Sequence, residues 1–180
     1  MRKIKILHLT TDSKIGGTEK NIIALTAHLN KNRYENIVVA LKSGGKLIEC
    51  LKEQGIKGRV LGMKSILDIG RIFRLWKLMR TEKIDILQTW LWHADILGRI
   101  IGRLAKVRVI VSSQRCLDLK SPAYKVWLNK LTSLWCDKII CVSNQVRQKL
   151  IEREKIEEAK LTVIHTGLEF DAGNNKDKIE

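Results

Sequence analysis

Short apolar runs alternate with longer segments of helical spacing along nearly the whole chain, and this alternation leaves few folds open. The first run holds Ile4, Ile6, Leu7 and Leu9; later ones are predicted over residues 36–41, 84–90, 107–113, 139–142 and 160–165, with a weaker one over 58–63. They read as strands buried on both faces of a parallel sheet. Helices are predicted between them. One is capped by Thr18, with Ile22, Leu25 and Leu29 on one face; others cover 46–54, 65–80, 93–105, the stretch from Ser121-Pro122 to 135, and the stretch from Ser143 to 153. Strand–helix alternation implies a doubly wound, Rossmann-like α/β fold: a parallel sheet with helices on both faces. One domain is expected over 1–170, followed by a frayed polar tail or the start of an interdomain linker at 171–180.

Such sheets bind ligands beyond the carboxyl ends of their strands. The loops after Thr10, Trp90, Ser113 and Val142 are therefore expected to share one edge, bringing Gly16, Gly17, His93, Arg115 and Ser143 to a common cleft. Gly16 and Gly17 lie between a strand and a helix start, where unpaired N–H groups and a partial positive charge favour a phosphate. The alternative is a strand-to-helix turn that binds nothing. His93 follows an apolar strand and lies near a helix start, which lowers its pKa. A neutral imidazole there donates one hydrogen bond and accepts another. A structural histidine is the alternative. Arg115 is placed to hold a phosphate or carboxylate in two-point fashion, or to be a solvated loop arginine.

The net charge of +15 favours a polyanionic partner: nucleic acid, an anionic membrane surface or a phosphorylated ligand. The Walker pattern is absent, as is the three-glycine dinucleotide pattern. There is no Asp-x-Asp pair and no His/Cys cluster at metal spacing, so no metal site is expected. Cys50, Cys116, Cys136 and Cys141 form no Cys-x-x-Cys pair, and a reducing compartment suits them. No apolar run approaches bilayer-spanning length, and the basic start reads as the first strand rather than a signal. Within 65–80, Arg71, Arg74, Lys77 and Arg80 recur every three residues and cover about half the helix circumference. Ile72, Leu75, Trp76, Leu78 and Met79 take the other half. Two readings stand: a core-facing helix with a basic back, or a surface helix on anionic lipid with Trp76 and Phe73 at the interface.

Four segments in order carry a family resemblance: Ile15-Gly16-Gly17-Thr18-Glu19-Lys20, residues 84–99, residues 136–146 and Leu161-Thr162-Val163-Ile164-His165-Thr166-Gly167-Leu168-Glu169. The chain resembles the amino-terminal, acceptor-side domain of the family 4 retaining glycosyltransferases of GT-B architecture. It departs from the family in the fourth segment, and in having Gln88 where many members carry histidine. The resemblance implies transfer of a sugar from a nucleotide sugar to an acceptor hydroxyl with retention, in cell-surface polysaccharide or glycolipid synthesis. By resemblance, Gly16 and Gly17 meet the donor diphosphate, catalytic His93 aligns donor and acceptor, and Thr18 and Arg115 line the cleft. No cofactor or metal is implied beyond the donor itself. The implied partners are a nucleotide-sugar donor, a sugar or lipid-linked acceptor, an anionic membrane surface and a partner chain carrying the C-terminal, donor-binding domain, which the resemblance leaves absent here. That places the protein in the cytoplasm, peripheral on the inner face of the membrane, and inactive alone. The alternatives are a non-catalytic docking or scaffold subunit of a split transferase, and a basic nucleic-acid-binding domain; no nucleic-acid partner is expected, because no binding motif supports one.

Overall fold

The computed structural model describes residues 2–42, 45–116 and 120–165. In chain order the elements are β1 (Ile4–Thr10), α1 (Gly17–His28), β2 (Tyr34–Ala40), α2 (Lys46–Glu53), β3 (Lys57–Val60), α3 (Ile69–Thr81), β4 (Ile86–Trp90), α4 (Trp92–Leu104), β5 (Val109–Gln114), α5 (Ala123–Ser133), β6 (Lys138–Cys141), α6 (Asn144–Glu152) and β7 (Leu161–Val163). All seven strands form one sheet in the order β3-β2-β1-β4-β5-β6-β7. Every pairing is parallel. The predicted 171–180 tail and the Thr166–Glu169 part of the fourth segment lie outside the described residues.

The chain builds outward from β1 to β3, returns to lay β4 on the other side of β1, and continues to β7. Right-handed crossovers then force the two sets of helices onto opposite faces. On one face, Ile22 of α1 and Leu47 and Leu51 of α2 pack with Val38 and Trp90. On the other, Leu75 and Met79 of α3, Leu97 and Ile101 of α4, and Val146 and Leu150 of α6 pack with Leu7, Leu9, Leu87 and Ile139. The direction of strand order reverses between β1 and β4, which opens a crevice at their carboxyl ends.

Helix α4 lies unusually close to the sheet. A Cβ on Gly98 would sit 2.5 Å from Thr89 Cγ2, and one on Gly102 would sit 2.7 Å from Leu87 Cδ2. The close approach lets polar side chains meet through the core. Arg99, fully buried, donates from Nε to Ser112 Oγ at 2.8 Å. Ser112 Oγ lies 2.8 Å from Thr89 Oγ1, which donates to Asp95 at 2.6 Å. The protons thus all point from guanidinium to carboxylate, each bond polarising the next. Arg99 Nη1 also donates to Asn129 Oδ1 at 2.7 Å and to Thr132 Oγ1 at 3.1 Å, which ties α5 to α4.

Several element boundaries differ from the sequence reading, among them that of α5, which begins at Ala123 with Pro122, not Ser121, at its cap position. Helix α1 begins at Gly17 with Gly16 as its cap, not at Thr18, because Glu19 Oε2 accepts from Gly16 N at 3.1 Å. Thr18 falls in the first turn. Helix α3 begins at Ile69 rather than 65, since the Asp68 side chain accepts from Arg71 N at 3.2 Å. Strand β3 stops at Val60, although Met63 N still donates to Leu41 O at 2.7 Å beyond it.

Candidate active site

The carboxyl ends of β1 and β4 pair at Thr10 and Trp90. From there the chain turns into α4 through Leu91, whose φ of 72° is unfavourable for a residue with a side chain. That tight turn carries Trp92 and His93 over the sheet edge. His93 is half-buried in a small apolar slot with Thr11, Leu41, Met63, Ile66 and Leu97, and Lys42 closes one side. Its pKa is lowered, first by burial and then by the positive charges of Lys42 and Lys125. The imidazole is therefore neutral at neutral pH, as the position predicted; the causes are burial and neighbouring cations. The Trp92 ring meets His93 edge-on, with centroids 5.0 Å apart. Thr11 Oγ1 is buried beside this slot without a hydrogen-bond partner among the described residues. The sequence reading passed over Thr11, and only its place one residue beyond β1 could have marked it.

A second group lies on the α1 side of the same edge. Glu19 is buried in the first turn of α1, bonded to Gly16 N and accepting from Thr10 Oγ1 at 3.4 Å. The Arg115 guanidinium stands over the Trp90 ring, 5.6 Å from its centroid. Burial lowers the Arg115 pKa, and the charge of Glu19 opposes that shift. Gly16 and Gly17 are both exposed at this end. Neither adopts a positive φ, so left-handed backbone is not what requires glycine at these two positions. What Gly17 leaves instead is open space: a Cβ there would meet nothing within 4 Å. The loop is braced from behind by Gly45, where a Cβ would sit 2.4 Å from Ser13 O. The sequence reading gave Glu19 and Gly45 no part in the site, although a Glu three residues after a helix cap is a recognisable capping signal.

Beyond Arg115, a cavity of about 190 Å³ opens between α4, α5 and α6, lined by Trp92, Gln114, Arg115, Lys125, Lys149 and Glu154. Lys149 and Glu154 form a buried ion pair at 3.2 Å. Asp95 accepts from Gln114 Nε2 at 2.7 Å just beneath. Ser143 caps α6 as predicted, accepting from Val146 N at 3.3 Å. The predicted residues thus share one sheet edge in two groups, the His93 slot and the Gly16–Glu19–Arg115 cluster. Among the described residues no three His, Cys, Asp or Glu gather as a metal site would require. No helix among them is long and apolar enough to cross a membrane.

Helix α3 begins three residues after Ile66, which lines the His93 slot. Leu75, Leu78 and Met79 are buried, and Ile72 and Trp76 pack against the same core. Trp76 Nε1 donates to Leu104 O at 3.4 Å. The apolar half of α3 therefore faces the sheet rather than a surface. Arg74, Lys77 and Arg80 remain exposed, with Arg71 and Trp76 half-buried and Phe73 stacked on Trp76.

Residues 15–172 match the family described as Glycosyltransferase Family 4. A curated protein of Escherichia coli, UDP-Gal:alpha-D-GlcNAc-diphosphoundecaprenol alpha-1,3-galactosyltransferase, is 25% identical over 179 residues, covering 94% of this chain and 46% of its own length. The chain spans about half the length of that relative. Among solved structures, Anabaena HepE in complex with UDP superposes with a TM-score of 0.75 at 19% identity, over 92% of this chain and 44% of HepE. The lipopolysaccharide outer core galactosyltransferase WaaB, in its apo form, gives 0.70 at 15% identity, over 92% and 46%. At these identities the structural likeness speaks to the fold, that of one half of a GT-B enzyme.

Proposed function

This chain belongs to glycosyltransferase family 4, and from that membership we propose that it forms the acceptor-side half of a transferase moving a sugar from a nucleotide sugar to an acceptor hydroxyl. The observation that carries the reading is His93, held in an apolar slot at the sheet's carboxyl edge with its pKa lowered by burial. In this reading the acceptor binds at the mouth of the His93 slot, with the imidazole fixing the attacking group. The open backbone at Gly17 faces the donor diphosphate from across the cleft, while the Gly16 N–H is already held by Glu19. As the glycosidic bond breaks, negative charge builds on that leaving group, and preoriented N–H donors stabilise it most in the transition state. Arg115 and Thr18 complete the cleft. Configuration is retained and no metal takes part.

The relative in Escherichia coli is named for a UDP-galactose donor and a lipid-diphosphate acceptor. For this chain we take a nucleotide-sugar donor and a sugar or lipid-linked acceptor, in cell-surface polysaccharide or glycolipid synthesis on the inner face of the membrane. The exposed basic row of α3 would attract anionic lipid, each basic residue near such a surface contributing about 1 kcal/mol. A donor-binding half, in the same polypeptide or a partner chain, supplies the remaining grip on the nucleotide. The test is turnover of UDP-galactose with a lipid-diphosphate GlcNAc acceptor, by the 180-residue chain alone and with a donor-binding half supplied. Turnover is expected only in the second case, because both halves must align the reactants. Full activity of the chain alone would refute the half-enzyme reading.

A further inference from the structure

Helix α5 is amphipathic in the reverse sense. Its inward side is polar: Asn129, Thr132 and Ser133 are 3%, 1% and 4% exposed. Its outward side is apolar: Tyr124, Trp127, Leu131, Leu134 and Trp135 on and just past the helix are 58%, 61%, 40%, 66% and 39% exposed. At 100° per residue these five fall in one stripe along the helix. The inward side is held by bonds rather than apolar packing. Arg99 donates to Asn129 and Thr132, and Asn129 Nδ2 donates to Glu154 Oε2 at 2.5 Å. A helix fixed to its core by hydrogen bonds has no folding reason to carry two tryptophans outward. Exposed apolar patches of this size mark binding surfaces.

The chemistry around the stripe selects its occupant. Residues 120–135 contain Lys120, Lys125 and Lys130 and no acidic residue. Helix α5 packs beside α4, and α4 beside α3. Their outer surface continues the same composition, with exposed Leu104 and Arg103 on α4 and Phe73, Arg74 and Lys77 on α3. Tryptophan and tyrosine flanked by lysine and arginine match the boundary of an anionic bilayer, where rings sit at headgroup level and cations meet phosphate. A second copy, each chain carrying a net charge of +15, would instead set this lysine-bearing surface against itself, lysine against lysine.

We propose that α5 is a membrane-docking element that rests on anionic lipid, with Trp127, Leu131 and Leu134 entering the headgroup–acyl boundary and Lys130 meeting lipid phosphate. The basic row of α3 contributes long-range attraction on the same side, and α5 contributes the apolar contact that salt does not screen. This inference stands apart from the transferase reading, since docking needs neither donor nor acceptor. A chain that docks through α5 but transfers no sugar even with a donor-binding half supplied would end the transferase reading alone.

The experiment is co-sedimentation with phosphatidylglycerol-rich and with pure phosphatidylcholine vesicles, at low and high salt. Wild type should prefer the anionic vesicles and keep part of its binding at high salt. Trp127→Ser/Leu131→Ser/Leu134→Ser should lose at least tenfold in partitioning at both salts, with an unchanged melting temperature, because the three side chains face outward. Replacing Arg74, Lys77 and Arg80 with Glu should weaken binding at low salt and spare the salt-resistant part. As a check that needs no altered fold, lipids brominated near the headgroup should quench tryptophan fluorescence in wild type more than in Trp127→Phe. Equal binding by wild type and the triple serine variant refutes the proposal. So does a concentration-dependent dimer that the triple variant abolishes while vesicles are ignored, which would make α5 a contact between copies.

Discussion

His93 and His8 show how burial sets the behaviour of single residues in this domain. Removing the His93 ring, by His93→Ala, should leave the fold intact and lower the activity of the full-length or reconstituted enzyme by about a hundredfold, the scale of a lost positioned donor. Its pKa is below the ordinary 6.5 and the proposed role uses the neutral form, so kcat/KM should be flat above that value and fall only at lower pH. The steady-state pH profile of wild type reads this, and His93→Ala should lack the acid limb. His8 lies deeper, with Nε2 3.2 Å from Asn36 Oδ1, and burial brings its pKa down from 6.5 to about 4. The unfolded chain takes up that proton first, so stability is lost as pH falls from 6.5 through 4. Asp95 has the opposite sign. Burial lifts its pKa from 3.8 to about 6, so its contribution is full below 3.8 and lost as pH rises through 6. Relative to wild type, His8→Gln should therefore gain in stability steadily as pH falls from 6.5 to 4. Urea denaturation across that window measures it, and a constant difference would show that His8 does not titrate there. Sequence position alone located His93, since a strand end followed by a helix start fixes where a side chain emerges. It could not locate Thr11 or Glu19, whose roles depend on which neighbours the tertiary fold brings to them.

At the scale of elements, the sequence reading succeeded where hydrophobic period and local breakers agree. All seven strands and six helices appear, because each apolar run is bounded by a turn or cap signal. It left open which way α3 faces, since a basic stripe opposite an apolar one fits both a core-facing and a lipid-facing helix. The structure turns Leu75 and Met79 to the sheet, and the reason is topological: α3 is the crossover that must cover β1 and β4. Helix α5 was legible only as a helix. Its inverted faces depend on Arg99, thirty residues upstream of Asn129, and no local pattern announces that partnership. The two close-packed glycines of α4 are equally silent in the sequence. Gly98→Ala should destabilise the domain by about 1–3 kcal/mol despite the better helix propensity of alanine, because the new methyl meets Thr89, itself held by Asp95 and Ser112. Chemical denaturation of the variant gives the value, and an unchanged midpoint would mean that α4 lifts freely from the sheet.

For the whole molecule, the fold was readable because alternation, one-handed crossovers and the carboxyl-edge rule act on the chain everywhere at once. The ligand was not, since the residues at the edge present general chemistry: a neutral imidazole, a hydroxyl, an arginine and open backbone. The reversal of strand order between β1 and β4 also sets a clock. Strand β1 is made well before β4, and its second edge waits for it: Ile6 pairs with Ile86, about eighty residues later. At synthesis rates of about 5–20 residues per second, that edge stays open for roughly 4–16 s. During this interval an apolar strand, already paired on one side with β2, offers unpaired backbone groups to any other nascent chain. The ribosome thus exposes the centre of the finished sheet as a temporary border.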